Sequence, residues 1–285
     1  MSGAPEALDI HRILVALDAS PASLAALETA SRLAVRLQAE LVGLFVEDID
    51  LLNLAALPFA REVPALSRSG RALDPARLER ELTSQAALAR RALARVGEAL
   101  HLRWSFRTAR GRVETELLAA AQDTDLIAVG KTTRPMSGQV RLGRNTRAVA
   151  VQTMRSMLFA SPARAAGDAP VAVVYDGSAE SRVALALAAR LSAREGNRLV
   201  VFVPAPEGME FTQHETVVRE QAASMGIAAA VRRVRSAHPA DIVGALGNEP
   251  VGLLIVGAQA LAAGAGDTLD VVVEKSACSV LLVRG

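Results

Sequence analysis

The feature that most constrains this chain is that it repeats itself. Arg12–Ser23, RILVALDASPAS, returns as Pro170–Ser181, PVAVVYDGSAES. In both copies an apolar run leads into Asp-x-Ser-x-x-Ser, and an Ala/Leu-rich helical pattern follows. Self-similarity on this scale means two units of one design, so the repeat decides the architecture before any single residue does. The match continues along the chain. Leu41–Val46 (LVGLFV) answers Leu199–Val203 (LVVFV), and Asp125–Gly130 (DLIAVG) answers Gly252–Gly257 (GLLIVG). Gly143–Ala160 answers Gly266–Val283 without a gap.

Apolar runs of strand length alternate with helical patterns in each unit. That order builds an α/β fold, a parallel sheet covered by helices through right-handed crossovers. Ser20 and Ser178 stand where helix caps are expected, their hydroxyls able to accept from free backbone N–H groups. The units are read as residues 1–161 and 169–285, joined by 162–168 within the small-residue stretch SPARAAGD. They differ mainly between their second and third strands, where the first carries Ile49–Leu100, a loop and a long Arg/Glu/Ala helix. Its apolar segment Leu51–Phe59 reads as a lid on its own unit or as a subunit contact.

The basic residues are unevenly spread. Net charge is only +2, and most arginines alternate with acids, as on a solvated helix face. Between Lys131 and Ala160, however, stand Lys131, Arg134, Arg141, Arg144, Arg147 and Arg155, with no acid among them. Aromatic residues that would stack on bases are absent nearby, so a local anion site is expected rather than nucleic acid. No run approaches the ~18 apolar residues of a membrane-spanning helix. A single cysteine, Cys278, fits a reducing compartment, and the first ten residues lack the marks of a secretory signal, so a cytoplasmic protein is expected. The histidines lack metal-site spacing, no G-x-S-x-G elbow occurs, and no acid cluster sits near the basic loop. Neither a metal nor efficient hydrolysis is expected.

VGKTTRPMSGQVRLGRN, residues 129–145, contains the Gly-Lys-Thr that ends a P-loop. A P-loop needs an earlier glycine where this chain has Asp125, and DLIAVG reads as a buried strand, so that reading fails. What remains is a glycine at a strand end, a basic loop, Gly143 and a helical pattern. Glycine lets backbone N–H groups approach an anion, and the next helix offers its free N–H groups and positive dipole end. Arg144 and Arg147 oppose that dipole at about 0.3–1 kcal/mol each, which an anion would offset. Gly130–Arg147, including Lys131 and Arg134, is therefore the phosphate candidate. Asp18 ends the first strand, where its carboxylate serves either a turn or a sugar hydroxyl or amino group. In the second unit the loop after Gly257 is shorter, lacks basic residues, and puts Asp267 where a phosphate would lie. That unit is expected to be a structural partner.

These features together resemble the universal stress protein family in its tandem-domain form. The carrying residues are the strand-Asp-x-Ser-x-x-Ser opening, the DLIAVG strand and the glycines after it, over Arg12–Val283. The resemblance implies two doubly wound domains of the adenine nucleotide α-hydrolase-like kind, each a five-stranded parallel sheet, related by a pseudo-two-fold. It implies ATP or another adenine nucleotide in the first unit. Ala16 and Leu17 would line the base, Val46 would offer main chain to the adenine edge, and Asp18 would lie at the adenosine end. Val129 would also line the site, and Gly130, Thr133, Gly143, Arg144, Asn145 and Thr146 would form the phosphate side. Thr133 stands where the family pattern has a glycine, and Arg144 where it has Ser or Thr. The expected protein is non-catalytic, read by an unknown protein partner, and either a pseudo-dimeric monomer or a homodimer. A ligand-free interaction module and, by fold analogy, a slow ATPase are the alternatives.

Overall fold

A computed structural model describes residues 8–57, 61–62, 71–72, 74–133, 140–162, 169–193, 198–205, 209–262 and 268–284. The first half runs β1 (Arg12–Ala16), α1 (Pro21–Leu37), β2 (Glu40–Asp48), α2 (Ile49–Ala55), β3 (Arg61–Glu62), β4 (Arg71–Ala72) and α3 (Pro75–Ala99). It continues with β5 (Trp104–Gly111), α4 (Val113–Ala121), β6 (Leu126–Gly130), β7 (Thr132–Thr133), β8 (Val140–Arg141), α5 (Arg144–Gln152) and β9 (Ser156–Ala160). The second half runs β10 (Val171–Val174), α6 (Ala179–Ala193), β11 (Leu199–Pro204), α7 (Met209–Ser224), β12 (Ala229–Val234) and α8 (Pro239–Gly247). It ends with β13 (Leu253–Gly257), α9 (Ala258–Ala262), α10 (Thr268–Lys275) and β14 (Ser279–Val283).

The inner strands read as largely apolar runs because they are buried on both faces, as parallel strands are, whereas the edge strands β5 and β12 carry exposed arginines. Ile13 and Val15 join one core layer with α1, α3, α6 and α7, while Leu14 joins the other with α4, α5, α8 and α10. Helix α1 shows the matching period: Ala26, Leu27, Ala30, Leu33, Ala34 and Leu37 are its buried apolar residues. Their small volumes let the helix lie close to the sheet.

The strand order is β12-β11-β10-β13-β14-β9-β6-β1-β2-β5, a single ten-stranded sheet. Each half contributes five parallel strands, and the order reads the same from either edge when each half is numbered along its own sequence. The halves join where β9 meets β14 antiparallel, with Val280 opposite Phe159, Leu281 opposite Leu158 and Leu282 opposite Met157. An antiparallel pair of equivalent strands is what a pseudo-two-fold requires. The fold is therefore tandem α/β, with its two sheets fused into one. Of the expected linker only Pro162 lies among the described residues. Helix α2, from the apolar segment after β2, packs on α3 and β5 of its own half. Phe59 of that segment lies outside the described residues.

Strands β1 and β6 are neighbours, yet the chain leaves β1 toward β2 on one side and reaches β6 from β5. That is the reversal of strand order beyond whose carboxyl ends ligands bind in open α/β sheets.

Candidate functional site

At the end of β1 the chain turns sharply into α1. Asp18 Oδ1 accepts from the Ser20 N–H at 2.9 Å, and Ser20 Oγ accepts from the Ser23 N–H at 3.2 Å, capping the helix. Both readings of Asp18 therefore have a basis: one oxygen shapes the turn, while the exposed side chain lines a cavity. Ala19 at φ 60° holds a left-handed conformation that the second copy gives to Gly177 at φ 79°. There Asp176 Oδ1 accepts from the Ser178 N–H at 3.0 Å. Against the upward push of burial, hydrogen bonds from Ser178 and Ser181 hold the Asp176 carboxyl below the usual range.

Gly130 ends β6 directly beneath the first turn of α1. A Cβ on it would stand 2.1 Å from the Ala22 carbonyl oxygen, so packing alone demands glycine there. The next residue corrects the sequence expectation. Lys131 is fully buried and turns away from any anion, its Nζ donating to Cys278 O at 2.7 Å and Ser276 O at 3.1 Å in the second half. Burial lowers its pKa to about 8. Thr132–Thr133 then pairs with Val140–Arg141 as a short antiparallel ribbon. The Thr133 side chain and all of Arg134 lie outside the described residues.

Gly143 caps α5 with φ −61° and ψ 153° and offers the helix's first N–H groups no side-chain acceptor. A Cβ on Gly143 would meet only Thr146 Oγ1, at 3.8 Å, so the end of the helix is open. Arg144 and Asn145 are exposed. Arg147, counted with the phosphate candidate on sequence grounds, is instead held by Asp270 at 2.5 Å, with Glu274 at 4.0 Å. Its charge against the dipole is offset by a carboxylate from the other half.

One cavity of about 520 Å³ spans the ends of β2, β1 and β6 and reaches α5. Its lining includes Ala16, Leu17, Asp18, Val46, Val129, Gly130, Gly143, Arg144, Asn145 and Thr146, all the expected site residues except Thr133. Leu44, Val113 and Leu117 extend its apolar wall, and Asp48 and Asp50 also line it. Sequence reading missed these two carboxylates, although they follow Val46 within a few residues. Asp48 Oδ1 accepts from the Asp50 N–H at 3.0 Å and caps α2, while Asp50 pairs with Arg112 at 3.3 Å. The cavity is thus acidic toward β2 and open to N–H donors toward α5. Among the described residues no group of three or more His, Cys, Asp or Glu side chains could hold a metal. No described helix is long and apolar enough to cross a membrane.

At the equivalent place in the second half the chain is arranged differently. Helix α9 starts directly after β13, and Glu180, at the repeat position of Ala22, accepts from the Gln259 N–H with Oε2 at 2.6 Å. Tyr175 and His214 meet edge-on at 5.6 Å beside the turn. A carboxylate does stand at the strand end, but it is Glu180; Asp267, on which the sequence reading rested, lies outside the described residues.

A sequence model described as the universal stress protein family matches residues 9–158. No curated protein matches the chain. Among solved structures, a universal stress protein from Archaeoglobus fulgidus DSM 4304 is 18% identical with a TM-score of 0.73, covering 96% of this chain and 98% of its own. A functionally unknown protein from Pseudomonas aeruginosa PAO1 is 16% identical with a TM-score of 0.58, covering 96% of this chain and 92% of its own. At such identities the likeness concerns the fold.

Proposed function

This chain belongs to the universal stress protein family, and from that premise we propose that its N-terminal half binds ATP or a related adenine nucleotide without turning it over. The base lies on the apolar wall of Ala16, Leu17, Val46 and Val129, with main chain near Val46 reading its edge. The free oxygen of Asp18 accepts from the ribose hydroxyls. The phosphates meet the N–H groups of Gly143, Arg144, Asn145 and Thr146 and the Arg144 guanidinium, where the helix dipole favours negative charge. Bound nucleotide shifts the populations of the Gly130–Arg147 segment and alters a surface that a protein partner reads in the cytoplasm. The C-terminal half serves as a structural brace.

The observation that carries this reading is a single cavity joining an exposed carboxylate to an uncapped helix N-terminus, at a volume ordinary for small-molecule sites. The withdrawal of Lys131 and Arg147 into the seam favours a second reading, an interaction module that holds no nucleotide. Calorimetric titration with ATP, AMP, cyclic AMP and adenosine decides between them. Asp18→Asn, which keeps the turn's acceptor, and Arg144→Ala should each weaken ATP by about tenfold or more, the range for losing one charged hydrogen bond. A folded wild-type chain that takes up none of the four compounds leaves the interaction module standing.

A further inference from the structure

Helix α5 carries Gly143–Thr146 to the cavity, yet the other half of the chain holds it in place. Near its N-terminus the Leu142 N–H donates to Glu274 Oε1 at 3.2 Å, and Arg147 is held by Asp270 at 2.5 Å. At its C-terminus Arg284 donates from Nη2 to Ala150 O at 2.6 Å and from Nη1 to Thr153 O at 2.7 Å. These are carbonyls that a helix end leaves open, and a guanidinium there also complements the negative end of the dipole. Ahead of the ribbon, the Lys131 ammonium ties the end of β6 to the Ser276 and Cys278 carbonyls.

The main chain crosses the seam reciprocally. The Ser161 N–H donates to Ser279 Oγ at 3.1 Å, and at the matching positions the Arg284 N–H donates to Ser156 Oγ at 3.2 Å. The charged ties are one-sided. Lys131 matches Ala258 in the repeat, and Arg284 matches Ser161, so neither bond can be made in the reverse direction. Arg147 and Asp270 occupy the same repeat position and meet each other. Each one-sided tie ends on the segment that presents α5. Asp270, Glu274 and Arg284 themselves do not line the cavity.

We propose that Asp270, Glu274 and Arg284 are positioning residues for the phosphate end of the cavity: the second half sets where the first-turn N–H groups of α5 point. The proposal rests on the nucleotide reading above. The interaction of an anion with a helix end is confined to the first turn, so a small shift of α5 weakens it without touching the base or ribose. Coupling is reciprocal, so a phosphate held by α5 also tightens the seam.

The test is calorimetry on the full chain with adenosine, AMP and ATP as probes. Asp270→Asn and Glu274→Gln keep shape, Arg284→Met removes the helix cap, and Arg284→Lys is the conservative variant. The expected result is a loss of about five- to thirty-fold for AMP and ATP, within the usual span of coupling between sites. Adenosine should stay within about twofold, as for a coupling confined to the phosphate end. Arg284→Lys should recover most of the loss. If Arg284→Met does not fold, the two isosteric variants decide. An equal loss for all three ligands, or no loss for ATP in variants of a wild type that binds it, overturns the proposal and leaves the nucleotide reading intact. A wild type that binds no nucleotide removes both.

Discussion

Single residues already separate the two copies. Ala19 holds a left-handed backbone that costs an L-residue roughly 1–2 kcal/mol, and the second copy relieves that cost with Gly177. Ala19→Gly should therefore raise stability by about 1 kcal/mol in urea denaturation. Gly177→Ala should lower it by more, because its Cβ would also stand 2.8 Å from His214 Nε2. Lys131 sets a pH dependence. Its folded pKa of about 8 lies below the ordinary 10.5, so between those values the unfolded chain binds more protons than the folded one. Stability from this group consequently rises with pH across that window, by on the order of 3 kcal/mol, and the penalty is full below it. The neutral amine still has two N–H groups for its two carbonyl acceptors. Comparing wild type with Lys131→Met from about pH 7 to about pH 10 should show the alkaline rise only in the wild type. The Asp-x-Ser-x-x-Ser turn was legible in sequence because each of its hydrogen bonds is local. The fate of Lys131 was not, since its acceptors lie in the other half of the chain.

At the scale of elements, the apolar pattern sufficed for β1, β2, β6 and β9 and their repeats β10, β11, β13 and β14, though not for the edge strands β5 and β12, whose exposed arginines break any apolar run. It also gave the Gly143 start of α5, where a glycine precedes a helical pattern. It could not tell Arg144 from Arg147. Both stand in one turn of one helix, and they differ only in that Asp270 of another element stands opposite the second. Gly130 has a similar history. The sequence suggested a glycine that admits an anion, whereas the geometry shows one that admits a helix. Gly130→Ala should destabilise by on the order of 3 kcal/mol, because the clash is with the Ala22 backbone and not with a flexible side chain. Denaturant titration would show it with no ligand present. The difference at the second half's strand end was legible only as a missing basic loop. Glu180 sits early in α6, far in sequence from the Gln259 N–H it accepts from, so no local pattern announces it.

At the scale of the whole molecule, the two halves meet as equivalent strands, but their contact is not self-complementary in charge. In a symmetric pair of identical chains a seam position that meets its own equivalent would face its own kind. Here Arg147 faces Asp270, and swapping them should be tolerated where single changes are not. Arg147→Asp and Asp270→Arg should each lower stability by about 1 kcal/mol, the Arg being half exposed, while the double variant recovers most of it. A double-mutant cycle measured by thermal unfolding checks this. Because β9 and β14 run antiparallel, the carboxyl ends of the two parallel strand sets look in opposite directions. The cavity faces one pole, and Glu180, accepting from the Gln259 N–H, stands at the other. A protein made of near-duplicates is thereby given a front and a back.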